Sequence, residues 1–447
     1  MKKSTLAMAV TFGIMAQQAG AAGFLEDSKA SISSRTLYFD NDQRETNSTR
    51  NRETATGLKF DYLSGFTQGT VGFGLDVQGL VGVHLDGGRG YHAAAGGITP
   101  TDTDGSSVGS WSRLGGNAKA RFSKTELKVG NALAPNLPIL VSNDGRLLPQ
   151  AFEGGILTSK DLENVTFTAG QLTRSIGRAS SNWTDLSVNG GTEGSDEFRF
   201  AGADWKVTKD LTLQYYYANL KDYYKQHFLG LVHVYQIADN QSFKTDLRYF
   251  DSSSDGKNGE AGYVFNNNSG YAKKAGEVDN KTWSAMFTYT LGGNAFMVGH
   301  QQVGDDGGFV SLNQGSTVDG RGRPEGNGGA SFYLFTDSMI NGFTRAGENT
   351  TFGQYSYDFA KVGIPGLKAA IAYLHADDIR GNTNATRNND YSEWERDMRV
   401  DYVIQSGPLK GFGTTVRHGT YRADTGLNSA NDADQTRVIF NYTYNFM

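Results

Sequence analysis

Apolar and polar positions alternate every second residue along most of this 447-residue chain. In an extended strand, successive side chains point to opposite faces, so each such run has one apolar and one polar face. The last segment, "TRVIFNYTYNFM", shows the pattern. Val438, Phe440, Tyr442, Tyr444 and Phe446 share one face; Arg437, Ile439, Asn441 and Thr443 share the other. The stretch "NAKARFSKTELKVG" (117–130) repeats it with charge: Ala118, Ala120 and Phe122 alternate with Lys119 and Arg121, and Lys128 sits between Leu127 and Val129. Ser123–Lys124 is the tight turn between those two strands. Period-two runs bounded by Gly, Asn, Asp and Ser predict roughly eighteen strands in all.

The connections alternate in length. Short ones fall at 63–68, 123–124, 160–164, 208–210, 238–241, 291–294 and 405–411. Long ones fall at 41–52, 85–111, 132–150, 174–196, 251–280, 305–348, 377–394 and 423–434. A soluble sandwich has no reason for this rhythm. A transmembrane antiparallel β-barrel with short turns at one rim and long loops at the other does. No run of eighteen apolar residues exists to form a membrane-spanning helix.

The chain start supports export. Residues 1–22 carry Lys2 and Lys3, an apolar run from Leu6 to about Met15, and small residues up to Ala22, the three regions of a secretory signal peptide. Residues 23–447 then form a single barrel domain. Removing the signal takes the formal net charge from −5 to −7. There is no cysteine, which excludes disulfides, thiolate metal sites and thiol nucleophiles.

An acidic chain with basic strand faces must put those faces somewhere. Cations on the lipid face of a barrel cost several kcal/mol at mid-depth, so the alternation predicts them inside. The predicted lumen set is Arg35, Lys119, Arg121, Lys128, Arg199, Lys244, Arg248, Arg399, Arg417 and Arg437. Arg199 is placed inward by reading Phe198 and Phe200 as the outer face. Closure sets the first strand beside the last, so Arg35, Arg417 and Arg437 line neighbouring wall. The surplus carboxylates are expected mainly on the long loops and outer rim. Guanidinium forks in a row can pass a carboxylate along by charge-assisted bidentate contacts.

Residues 131–155 are the least barrel-like. They hold Pro135, Pro138 and Pro149, and their "LPILV" is too apolar for a loop in water. Folded inward, this loop hides those residues and carries Asn143, Asp144 and Arg146 into the channel as a constriction. The 305–348 loop is expected to fold inward as well, bringing Tyr333, Asp337 and Ser338.

Several segments resemble one family: "GFLEDSKASISSRTLYFDND", "GRLLPQAFEG", "FTAGQLT", "SDEFRFAGADW", "VGIPGLKAAIAYLHADDIRG" and "ERDMRVDYVIQSGPLKGFGTTVRHGTYR". Together they resemble the OprD-like substrate-specific outer-membrane porins over nearly all of the chain from about Gly23. The resemblance implies an eighteen-stranded barrel with inward-folded constriction loops and passive uptake of small carboxylates along a basic ladder. It implies that Arg146 is the constriction-loop arginine and that Arg399, Arg417 and Arg437 belong to the ladder. Of the family's two subgroups, "SFYLFTDSMINGFTRAGE" (331–348), with Tyr333, Phe335 and Phe343 and the neutral, apolar "MINGF" beside Asp337, favours the aromatic-carboxylate type over the basic amino-acid type.

Rival readings are a basic amino-acid or peptide porin, a general diffusion porin and an outer-membrane enzyme. The seven histidines are scattered without catalytic or metal-ligand spacing. "TDTDG" (101–105) lacks the other ligand positions of a calcium loop, and "GGRG" and "GRGR" precede no helix. No catalytic residue, metal site or cofactor is therefore expected. The expected partners are a small carboxylate, outer-membrane lipid and lipopolysaccharide, with no nucleic acid; the barrel is expected as a monomer or loose trimer.

Overall fold

The computed structural model describes residues 23–44, 50–87, 90–92, 97–314, 330–382, 388–427 and 432–447. The signal segment, the middle two residues of "GGRG" and all of "GRGR" lie outside them. Eighteen long strands form the wall. The first six are β1 (Lys29–Gln43), β2 (Asn51–Leu63), β3 (Val71–Asp86), β4 (Ser110–Phe122), β5 (Thr125–Leu133) and β6 (Ala151–Ser159). Then come β7 (Val165–Ile176), β8 (Phe198–Lys206), β9 (Leu211–Leu220), β10 (Tyr224–Ala238), β11 (Gln241–Ser254) and β12 (Asp279–Leu291). The last are β13 (Asn294–Val303), β14 (Asn349–Asp358), β15 (Leu367–Ile379), β16 (Tyr391–Val403), β17 (Gly413–Ala423) and β18 (Ala433–Asn445).

Each strand pairs antiparallel with its sequence neighbours, and β18 returns to β1 from Ser31↔Asn445 to Gln43↔Ala433. Closure leaves no free sheet edge at that seam, as a structure in lipid requires. Leu58, Phe60, Val71, Phe73, Leu75, Leu127, Val129, Phe287, Val400 and Phe440 point outward and are exposed, forming the lipid-facing band.

The outer loops are L1 (44–50), L2 (87–109), L3 (134–150), L4 (177–197), L5 (221–223), L6 (255–278), L7 (304–348), L8 (380–390) and L9 (424–432). The rhythm read from sequence breaks at L5, which has only Lys221, Asp222 and Tyr223. L4 and L6 meet over it, through Thr192 and Glu193 N–H groups donating to the Gly262 carbonyl. Tyr223 is wholly buried beneath them and donates its hydroxyl to the Glu193 carbonyl. A longer L5 would have no room there. An eighth short turn, 359–366, closes β14 to β15 and was also absent from the sequence tally.

Loops L3 and L7 fill the barrel. The apolar "LPILV" of L3 forms a small hairpin, Asn136–Leu137 against Leu140–Val141. Ile139 and Leu140 are buried in one cluster with Phe309 and Leu334 of L7, and Val141 bridges to Ser331. Further along, Leu147 and Leu148 pack on Leu37, Phe39, Ala55, Leu80, Ile98 and Trp111. Gly57 on β2 makes that approach possible, because a Cβ there would lie 2.9 Å from the Leu148 side chain. The constriction is thus held by the same burial that folds any core.

Candidate functional site

Three strands at the closing seam carry arginines at matched register. Arg399 on β16 is the direct partner of Arg417 on β17, and Arg417 of Arg437 on β18. All three lie on the lumen face. The row continues to Phe39 on β1, the partner of Arg437. The Arg146 guanidinium of L3 lies 4.5 Å above the Phe39 ring and that of Arg437 5.8 Å from it. Cations over an aromatic face are held by its quadrupole.

L7 meets the same row. Arg437 donates to the Met339 carbonyl at 2.6 Å and Arg417 to the Ser338 carbonyl at 3.1 Å. Arg178 of L4 donates to the Asn143 side chain of L3 at 3.2 Å. Arg146, Arg178, Arg417 and Arg437 therefore face one another where L3, L4 and L7 meet the wall. Burial, then the like charges of Arg437, Arg178 and Arg417, push the Arg146 guanidinium well below its ordinary value, while Asp337 pulls the other way. Burial lowers Arg178 to about 10. These four arginines bond to the Gly145, Ser338 and Met339 carbonyls and the Asn143 amide, all neutral. Crowded like charges without a neutralising carboxylate make an anion-attracting constriction.

The other predicted cations divide by what holds them. Arg35 faces the lumen and clamps L3, pairing with Asp144 at 2.7 Å and donating to the Arg146 carbonyl at 2.7 Å. Below it, Arg121 lies 4.1 Å over the Phe66 ring. Lys119 is nearly buried, tied to Asp76 at 2.7 Å and to the Ser64 carbonyl, and Lys128 shares Asp76 at 3.1 Å. Arg121, Lys128 and Asp76 line a cavity of about 600 Å³ toward the short-turn end. Lys244 and Arg248 also face inward, but on β11, well away around the barrel from β1. Both pair with Asp246, and Arg248 stacks 3.7 Å from the Tyr333 ring, so it anchors L7.

Arg199 is a correction. Phe198 and Phe200 are buried in the interior cluster, so Arg199 projects from the outer face. It pairs with Glu197 at 2.7 Å and with Gln171, and its side chain is 61% exposed. The inward L4 and L7 made the interior apolar at this height, which reversed the usual meaning of the alternation.

Not all acids lie on the loops and rim, where most were expected. Glu393, Glu395, Asp397 and Asp401 line the lumen face of β16, and Asp76 and Asp246 also lie inside. Asp401 pairs with Arg399 at 2.6 Å, and the other three on β16 latch L7: Glu395 accepts the Ile340 and Asn341 N–H groups at 2.9 and 2.8 Å. Asp397 accepts the Ser338 hydroxyl, and Glu393 accepts Arg345 and Tyr421. Strict alternation in "SEWERDMRVD" was the available signal. Lys59, beside Asp61 at 2.9 Å, was equally legible between Leu58 and Phe60. Arg178 was not, because an irregular loop has no period.

Of the L7 aromatics, Phe343 is wholly buried, Phe335 stacks on Phe352, and Tyr333 packs on Arg248 and Phe228. They shape the loop. Asp337 opens onto lumen water yet is encircled by protein. That desolvation pushes its carboxyl above the ordinary range, against Arg178, Arg437 and the Phe332 N–H at 3.3 Å. Below its raised pKa the group is neutral, so the constriction becomes more positive as pH falls. Anion-over-cation permeability is expected to rise about two- to fivefold across that titration, the size of one charge acting through water. Asp337→Asn should show the higher ratio already at neutral pH and lose that part of the pH response in bilayer reversal potentials.

Among the described residues, no group of three or more His, Cys, Asp or Glu is placed to hold a metal. A closed β-barrel with a water-accessible interior and a cationic constriction defines an outer-membrane channel.

Comparison with known proteins specifies which kind. The sequence model described as outer membrane porin, OprD family, matches residues 22–446. The chain is 34% identical over 439 residues to the porin-like protein GalP of Pseudomonas putida, covering 97% of this chain and 96% of that one. It is 30% identical to Porin D of Pseudomonas aeruginosa over 461 residues, covering 99% and 98%. The crystal structure of Pseudomonas aeruginosa OccK8 (OprE) superposes with a TM-score of 0.83 at 44% identity, covering 95% of this chain and 100% of that one. That of OpdK with vanillate gives 0.80 at 32% identity, covering 95% and 100%. The chain belongs to the OprD family and is a substrate-specific porin of the outer membrane. Its relatives are channels, not enzymes.

Proposed function

We propose that this porin takes up small monocarboxylates, including aromatic ones such as benzoate or vanillate, along Arg399, Arg417, Arg437, Arg146 and Arg35, with Arg121 and Lys128 nearer the exit. The carrying observation is the imbalance at the constriction. Arg146, Arg178, Arg417 and Arg437 bond to neutral groups, the Gly145, Ser338 and Met339 carbonyls and the Asn143 amide, whereas Glu393, Glu395 and Asp397 each accept a donor from L7. A cluster of guanidinium groups held by neutral partners favours an anion. Several shallow contacts in series suit conduction better than one deep site. A vanillate-bound relative of the same fold supports an aromatic body, although the packed L7 rings leave that choice to the cavities instead.

The test is competition. Uptake of labelled benzoate into proteoliposomes should saturate and be inhibited by vanillate and phenylacetate but not by arginine. Inhibition by arginine and not by vanillate would reject this reading in favour of a basic amino-acid channel.

A further inference from the structure

The wall is not closed by backbone pairing over its whole height. β4 pairs with β5 from Asn117↔Gly130 down to Phe122↔Thr125. Above that level, the Ser110–Gly116 part of β4 has β3 as its ladder partner, from Val83↔Ser110 to Val77↔Gly116. β5 meanwhile turns away, and its register on β6 shifts between Gly130 and Leu133. Two asparagine side chains finish the split in place of backbone. Asn131 Oδ1 accepts the Gly116 N–H at 2.9 Å. The Asn117 amide accepts from Ala132 N–H at 3.0 Å and donates to the Ala132 carbonyl at 3.1 Å. Backbone groups alternate sides along an antiparallel strand. Because Gly116 points its N–H toward β5, Leu114 and Ser112 do too, and there they meet a gap.

A cavity of about 210 Å³ occupies that gap. Arg113, whose side chain points inward, and Leu114, which is on the outer face and 77% exposed, both line it. Adjacent residues of one strand share a cavity only where the strand edge is open. Leu80, Ile176 and Trp183 supply apolar wall. Gln78, Ala132 and Ala151 also line a second space of about 660 Å³ beside L3, so the window adjoins the lumen. Next to the split, the exposed outward pair Arg174–Glu153 at 2.7 Å puts the window near the polar border of the lipid, where an open edge is tolerated.

The chemistry at the inner end is specific. Arg113, which lines the window, donates Nη1 to the Gly177 carbonyl at 3.0 Å and Nη2 to the Pro149 carbonyl at 2.7 Å, both neutral groups that leave its charge uncompensated. Apolar walls ending at a guanidinium held only by neutral carbonyls suit an anion with an apolar body. We propose that this window is a second binding site, separate from the constriction, for a small carboxylate whose charge meets the Arg113 guanidinium and whose body lies along Trp183, Ile176 and Leu114. The choice of ligand rests on the carboxylate reading above. A lipid chain is the competing occupant, but it has no charge to give Arg113.

The cysteine-free chain allows a clean test. Ser181, exposed and lining the window, is changed to cysteine and labelled in proteoliposomes with a membrane-impermeant maleimide. Benzoate should slow labelling at least fivefold, benzyl alcohol should not, and Arg113→Met in the same background should abolish the protection. Separately, an azidobenzoate photoprobe on the unmodified protein should leave adducts within 110–116, 131–133 or 176–183. Block of channel current by benzoate, measured on the same sample, reports the constriction. Block without protection and with adducts confined to L3 and L7 would overturn the window while leaving the channel reading intact. Labelling that appears only after detergent replaces lipid would overturn it in favour of a lipid-filled gap.

Discussion

Changing Arg146 to Glu should lower saturable carboxylate uptake by on the order of a hundredfold, the loss of about two charge-assisted contacts. The substitution does more than remove one site. It puts a carboxylate among Arg178, Arg417 and Arg437, and that carboxylate will pair with whichever guanidinium it reaches, consuming a second contact. Arg146→Gln, which removes a charge and adds none, should cost about tenfold, one such contact. Arg146 lies on a loop and stacks on Phe39 without filling the core, so the barrel should still fold and run as a heat-modifiable band. Proteoliposome uptake of labelled benzoate gives the measurement. Equal uptake by both variants and the unmodified protein would remove Arg146 from the pathway.

Glu395→Ala combined with Asp397→Ala should release L7. Glu395 accepts two backbone N–H groups of L7 and Asp397 a third donor, and each stranded donor costs about 1–3 kcal/mol. Together these exceed what a loop of this kind can lose without moving. Arg417 and Arg437 would be left facing an emptier lumen. Single-channel conductance should rise several-fold and become noisy, and block by carboxylates should weaken, turning a selective channel towards a general one. Quiet currents of unchanged size would mean that Arg417, Arg437 and Arg248 hold L7 without the acids.

Much of this was legible because a barrel wall has one period and one penalty. Wherever lipid lay on one side and water on the other, as at Lys119, Arg121, Lys244 and Arg437, alternation assigned the face correctly. The inward folding of L3 was legible for the related reason that "LPILV" has no stable place in water. The signal failed where the interior was itself apolar. At β8 the loops fill the lumen, so Phe198 and Phe200 face inward and Arg199 outward. The inward acids Glu393, Glu395 and Asp397 were missed because net charge says nothing about position, although the alternation from Glu393 to Asp401 carried the answer. Arg178 depends on where L4 ends in space, which no local pattern encodes. The strand split above Asn117 also has no periodic trace, since two asparagine side chains replace the ladder.

The central claim is that the constriction favours anions because Arg146, Arg178, Arg417 and Arg437 converge there on neutral partners while the neighbouring acids hold L7. The most direct measurement is the reversal potential of single channels under a salt gradient, read as benzoate is added. The account predicts anion selectivity, with benzoate reducing the current in a saturable way and Arg146→Glu removing both effects. Cation selectivity unaffected by benzoate would contradict it.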